Sequence, residues 1–183
     1  MWENKKLVAR VTFLDEDTAA TLDYEVMTTV QEAVEVIAKS INLENYSSFT
    51  LYKAYTPRPD EDATEVGQEQ HLLLDENRYI SDVLTEAKNE GIDAALLFKK
   101  KMFREQDEHI TEPVFVNLSY AQAQHDFLQG NYPVVKDDAT QMCALQIFAA
   151  KGPGLDDGSP VFLKELEKYL TKQVSGFFLE ITW

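Results

Sequence analysis

Cys143 and His125 are the side chains best suited to chemistry in this sequence. A thiol beside an imidazole makes a nucleophilic pair, provided the helices that carry them touch. Free cysteine is also among the most buried residue types, so a core cysteine beside a half-buried histidine is the reading favoured here. His71, His109 and His125 are not spaced as metal ligands, and one cysteine cannot build a thiolate cluster. The acidic run Asp60-Glu61-Asp62-Ala63-Thr64-Glu65 is not a calcium loop. Glu65 stands where such a loop needs glycine, and His71 where it needs its last glutamate. No glycine-rich phosphate loop and no serine nucleophile elbow occurs. No catalytic, cofactor-binding or metal-ligating residue is assigned, and no enzyme is expected.

Lys99, Lys100, Lys101 and Arg104 form the one basic cluster. They are candidates for contact with an anion or an acidic partner segment. The competing reading is a solvated strand end on an acidic protein, because a short basic run specifies little. The formal net charge is −15. Residues 1–97 hold 8 Lys+Arg against 20 Asp+Glu, and residues 98–183 hold 9 against 12. The first half therefore carries −12, which disfavours nucleic acid and leaves only weak attraction to anionic lipid. No apolar run approaches the roughly 18 residues of a membrane helix. The start of the chain has no apolar leader segment, and the single cysteine fits a reducing compartment. A cytoplasmic protein is expected.

The elements that would carry these residues can be read from periodicity. Leu7, Ala9, Val11 and Phe13 alternate with polar neighbours, as a strand requires, and Leu22, Tyr24 and Val26 do the same after a polar turn. The period then changes to Val30, Ala33, Val34, Ile37, Ala38 and Ile41, one face of a helix. Thr29 with Glu32 forms a capping box at its start, and Asn42 is a plausible stop. Residues 49–55 read as a third strand, 58–70 as an exposed acidic loop, and 71–74 as a short strand. Ser81 is expected to cap a short helix ending near Gly91. Residues 94–98 are continuously apolar, as in a strand buried on both faces. Residues 5–98 thus follow the order of a ubiquitin-like roll, with the strands at 7–13 and 94–98 as parallel neighbours at the sheet centre.

Residues 105–109 read as a polar linker. Beyond it the pattern is helical. Thr111 and Pro113 open a helix that Gly130 ends, and Gly130-Asn131-Tyr132-Pro133 turns the chain. Gly130 is expected at positive φ, with the Tyr132 ring packed inward as a structural element. Asp137 is expected to cap a second helix, apolar around most of its circumference and so central in a bundle. Ser159-Pro160 would start a third, ended by Gly176, and residues 177–183 form an apolar tail. The bundle would span about residues 111–175.

The junction carries a resemblance to a known family. Leu97-Phe98-Lys99-Lys100-Lys101-Met102-Phe103 resembles the passage from first to second lobe of FERM domains. Thr111-Glu112-Pro113, then Tyr120, Gln122 and Asp126, then Gly130 to Pro133, resemble the opening of the second lobe. Asp137-Asp138-Ala139 and Ala144-Leu145-Gln146 resemble its next helix. The wording is most similar to the tail FERM (myosin-tail-homology/FERM) of plant and algal kinesin-like calmodulin-binding proteins, with myosin-tail FERM domains next. The resemblance is carried by residues 95–150, and by pattern alone over 1–94.

This resemblance implies an α+β architecture, a ubiquitin-like β-grasp roll at 1–98 followed by an all-α, acyl-CoA-binding-protein-like bundle at 99–183. The second lobe is expected to be truncated and the third, PH-like lobe absent, as in a fragment. It also implies a non-catalytic docking module without cofactors. Such a module would link a cytoskeletal motor to a protein partner: cargo, a membrane-protein tail or a cytoskeletal protein. The alternative is an acyl-chain or lipid-binding helical lobe, which needs a wide apolar groove with basic residues at its mouth.

Overall fold

The computed structural model describes residues 6–15, 18–57, 69–152 and 167–170. The elements run β1 (Leu7–Thr12), β2 (Ala19–Tyr24), α1 (Val30–Ser40), β3 (Phe49–Tyr55), β4 (Gln70–Leu73), α2 (Ile80–Asn89), β5 (Ala94–Lys100), a 3-10 turn (Glu105–His109), α3 (Pro113–Leu128), α4 (Lys136–Lys151) and a 3-10 turn (Glu167–Tyr169). The chain divides into two compact units, Met1–Gln122 and Ala123–Trp183, so the boundary falls within α3.

In the first unit the sheet order is β2-β1-β5-β3-β4. β1 and β5 are parallel, with Val11 opposite Leu96, and β5 runs antiparallel to β3 with Leu51 opposite Phe98. β5 is therefore the central strand, and it is buried on both faces. Leu96 and Phe98 join the main core, while Leu97 packs with Tyr52 and Ala54 on the other side. The continuous apolar run that marked residues 94–98 has this cause.

α1 lays Val30, Ala33, Val34, Ile37 and Ala38 into that core. Its capping box is formed, with the Glu32 backbone N–H donating to Thr29 Oγ1 at 3.2 Å and the Thr29 N–H to Glu32 Oε2 at 2.8 Å. Asn42 follows at φ 56°, a left-handed residue that stops the helix. The aromatic centre is a chain of contacts. Phe49 stacks on Phe98 at 5.3 Å between centroids, Phe13 tilts against Phe98 at 5.6 Å, and Phe115 meets Phe49 edge-on at 5.6 Å.

Several local expectations differ from the structure. Ser81 does not cap α2; its hydroxyl donates to Val26 O at 2.7 Å, and the N-cap residue is Tyr79. Val26 lies past the end of β2 and is exposed. α4 starts at Lys136 after Val135, so Asp137 lies in its first turn, where its charge still suits the helix dipole. α4 buries only Ala139, Cys143, Gln146 and Ile147, while Met142, Leu145 and Phe148 are exposed. The acidic run 60–65, most of the expected third helix and residues 177–183 lie outside the described residues.

Removing the Phe98 ring should cost about 3–5 kcal/mol, whereas Val8→Ala on the exposed face should cost under about 0.5 kcal/mol. Urea unfolding followed by amide resonances of β1 and β5 checks both expectations.

Candidate functional site

The strand period holds beyond Phe98. Leu96, Phe98 and Lys100 share one face of β5, so Lys100 points into the core-facing layer and is 1% exposed. A buried ammonium needs a counter-charge. Asp107, from the 3-10 turn, supplies it at 2.9 Å, and the Arg104 guanidinium holds the same carboxylate at 2.8 Å and 3.1 Å. Three rings complete the cage. Lys100 Nζ lies 4.3 Å from the Phe115 centroid, 4.9 Å from Phe103 and 5.8 Å from Phe49.

The Lys100 backbone is held as well. Its N–H donates to Gln122 Oε1 at 2.8 Å, and Gln122 Nε2 donates to its carbonyl at 3.2 Å. Glu112, just before α3, accepts from the backbone N–H groups of Glu44 and Asn45 at 2.6 and 3.0 Å and from the Asn45 side chain at 2.8 Å. The segment from Lys100 to Gln122 is thereby strapped to the roll by main chain, side chain and aromatic contact together. The first compact unit runs as far as Gln122 for this reason.

Burial alone would raise the Asp107 carboxyl, but the hydrogen bonds and charges of Arg104 and Lys100 more than offset it and hold it below the usual carboxylate range. Glu112 is lowered likewise, its burial outweighed by the Asn45 and Glu44 donors.

The four basic residues proposed from sequence do not share one surface. Lys100 and Arg104 converge on Asp107. Lys101 pairs with Glu76, and Lys99 lies over the Tyr52 ring with its ammonium 3.1 Å from His71 Nδ1. Lys100 is thus no solvated cation awaiting an anion. The sequence reading missed Asp107, Glu112 and the roles of Gln122 and Phe115. Continuing the two-sided strand at 94–98 by two residues would have put Lys100 in the same layer as Leu96 and Phe98 and called for a carboxylate nearby.

Beside the cage Phe103, Ile110, Phe115, Val116 and Tyr120 line an open groove of about 620 Å³. Glu105 and Glu108 are on it, and Met102, Phe103, Val116 and Tyr120 are all substantially exposed.

The second unit holds the remaining candidates. Gly130 is at φ 78°, its N–H donating to Phe127 O and that of Asn131 to Asp126 O, both at 3.0 Å. The inward Tyr132 ring is not what forms: Tyr132 is 39% exposed. Its hydroxyl is raised by partial burial and by the Asp126 carboxylate. Cys143 sits among Phe127, Ala139, Ile147 and Leu170, and burial pushes its thiol up, opposite to activation. Among the described residues no His/Cys/Asp/Glu group could hold a metal ion, and no helix is long and apolar enough to cross a membrane.

Asp107→Ala should cost about 3–5 kcal/mol because Lys100 is left buried and uncompensated. The double variant Lys100→Met/Asp107→Leu should recover most of that loss. Because the folded Asp107 carboxyl is depressed, its stabilisation is present above the unfolded value near 4 and lost as pH falls below it. Wild-type stability should therefore drop with acid more steeply than that of the double variant, measured by urea unfolding at stepped pH.

Residues 105–180 match the FERM central domain. The chain is 44% identical over 180 residues to the kinesin-like protein KIN-14I of Oryza sativa subsp. japonica, covering 94% of this chain and 14% of that protein. The chain thus spans about one-seventh of the length of this relative. Its fold is similar to the Dictyostelium discoideum myosin VII MyTH4-FERM MF1 domain (TM-score 0.69, 19% identity, 97% of this chain and 37% of that one). It is also similar to the human myosin 7b C-terminal MyTH4-FERM domain, solved in complex with the harmonin-a PDZ3 domain (TM-score 0.62, 18% identity, 94% and 34%). A five-stranded sheet leads into a segment, residues 105–180, that matches the FERM central domain, and the chain is similar along nearly its whole length to a kinesin-like protein.

Proposed function

We propose that the chain is a non-catalytic protein-docking module in the tail of a cytoplasmic, cytoskeleton-associated motor. Its role there is to link the motor to cargo, a membrane-protein tail or a cytoskeletal protein. In this reading residues 1–98 form the first lobe and 99–183 the second, with segment 99–122 bound to the first. The apolar groove beside the Lys100 cage carries the proposal. Phe103, Phe115, Val116 and Tyr120 give it the aromatic composition typical of interface centres. The partner bound by the myosin 7b domain is a protein domain, which supports the same class of ligand.

An acyl chain fits less well. Both cations on the groove, Lys100 and Arg104, are already held by Asp107, and Glu105 and Glu108 would repel an anionic headgroup. The −12 charge of residues 1–97 disfavours an anionic membrane in the same way.

Proximity labelling from the chain fused to a motile motor tests the reading. The parent should mark a defined protein set that Val116→Glu/Tyr120→Glu loses, by tenfold or more in enrichment, with its melting temperature unchanged within about 2 °C. Equal labelling by parent and variant would contradict it.

A further inference from the structure

We propose that the groove between β2 and α1 takes an extended, basic segment of a partner protein as an added sixth strand. This surface is separate from the groove beside Lys100, and the proposal rests on the docking reading.

β2 is an edge strand. It pairs with β1 along its whole length, from Leu7 opposite Tyr24 to Thr12 opposite Ala19, and no other described strand lies beyond it. An edge strand of this length offers backbone donors and acceptors to another chain. The opposite edge, β4, has only 4 residues.

The groove has about 520 Å³, meets β2 at Asp23 and Tyr24, and is lined along α1 by Glu32, Glu35, Val36 and Lys39. These fall at i, i+3, i+4 and i+7, so α1 carries a second stripe besides the one it buries. Alternate side chains of an added strand would lean over that stripe. There they meet exposed Val36 and Met27, which is 64% exposed, as apolar contacts.

Charge selects the occupant. Asp23, Glu25, Glu32 and Glu35 line the groove against Lys6 and Lys39. Glu32 also serves the α1 capping box. A second copy of this edge would bring Asp23 and its acidic neighbours against themselves, so self-pairing is disfavoured. A strand alternating aliphatic residues with Lys or Arg satisfies the backbone, the apolar stripe and the carboxylates together.

A short synthetic peptide alternating valine and lysine, titrated into the isotope-labelled chain, provides the test. Amide shifts should concentrate in Ala19–Tyr24 and along α1. Affinity should fall about tenfold with Glu35→Lys, which makes no hydrogen bond or ion pair among the described residues, and be unaffected by Asp138→Lys on α4. N-methylation of alternate peptide amides should abolish binding if the backbone pairs. Equal binding of the N-methylated peptide or of a valine–glutamate peptide would overturn the proposal, as would shifts centred elsewhere. If the proximity-labelled set persists while this peptide fails to bind, strand addition falls and docking stands. If the labelled set is also insensitive to the groove substitutions, the docking reading falls with it.

Discussion

An ammonium group sealed from water is the constraint around which the first unit is organised. Lys100 sits at the end of the central strand with 1% of its surface exposed. A charge so placed is tolerated only if another group satisfies it. Asp107 must therefore fold back from the polar segment after β5, Arg104 must share the carboxylate, and Phe49, Phe103 and Phe115 must close around the ammonium. A buried pair of this kind adds little net stability compared with a well-packed apolar substitute. Its consequence is positional. The pair holds Asp107 against the end of β5, six residues before α3 begins at Pro113.

The same arrangement governs what the surface offers. Two of the four cations in the basic cluster are consumed internally by Asp107, and Lys101 and Lys99 engage Glu76 and His71. What remains beside the cage is apolar and acidic. A cluster that reads in sequence as a solvated strand end or an anion site thus becomes the support of an apolar groove, which in the docking reading takes a protein. Docking surfaces work best when their shape is fixed before the partner arrives, and a strapped linker provides that.

Most of the roll was legible because its signals are local. The alternation of Leu7 to Phe13, the Thr29–Glu32 capping box and the apolar run at 94–98 each depend on neighbours in sequence, and each appears in the fold. The cage was not legible. Asp107 lies in a stretch whose composition is that of a linker, and only its partners in space distinguish it from Glu105 or Glu108. Lys100 was obscured by Lys99 and Lys101, which face differently in a pleated strand. Cap assignments failed where the side chain had a better partner, as Ser81 has in Val26 O. The breadth of the apolar set on α4 misled for another reason: hydrophobic residues also occupy exposed positions, and Met142, Leu145 and Phe148 do so here.

Native-state amide hydrogen exchange, compared between β5 and the first turns of α3, tests most directly whether the buried pair binds the linker to the roll. If it does, amides of residues 114–122 should open only with those of Leu96 to Lys100, at the same free energy and with the same urea dependence. Exchange of residues 114–122 at a distinctly lower free energy, while β5 stays protected, would contradict the account.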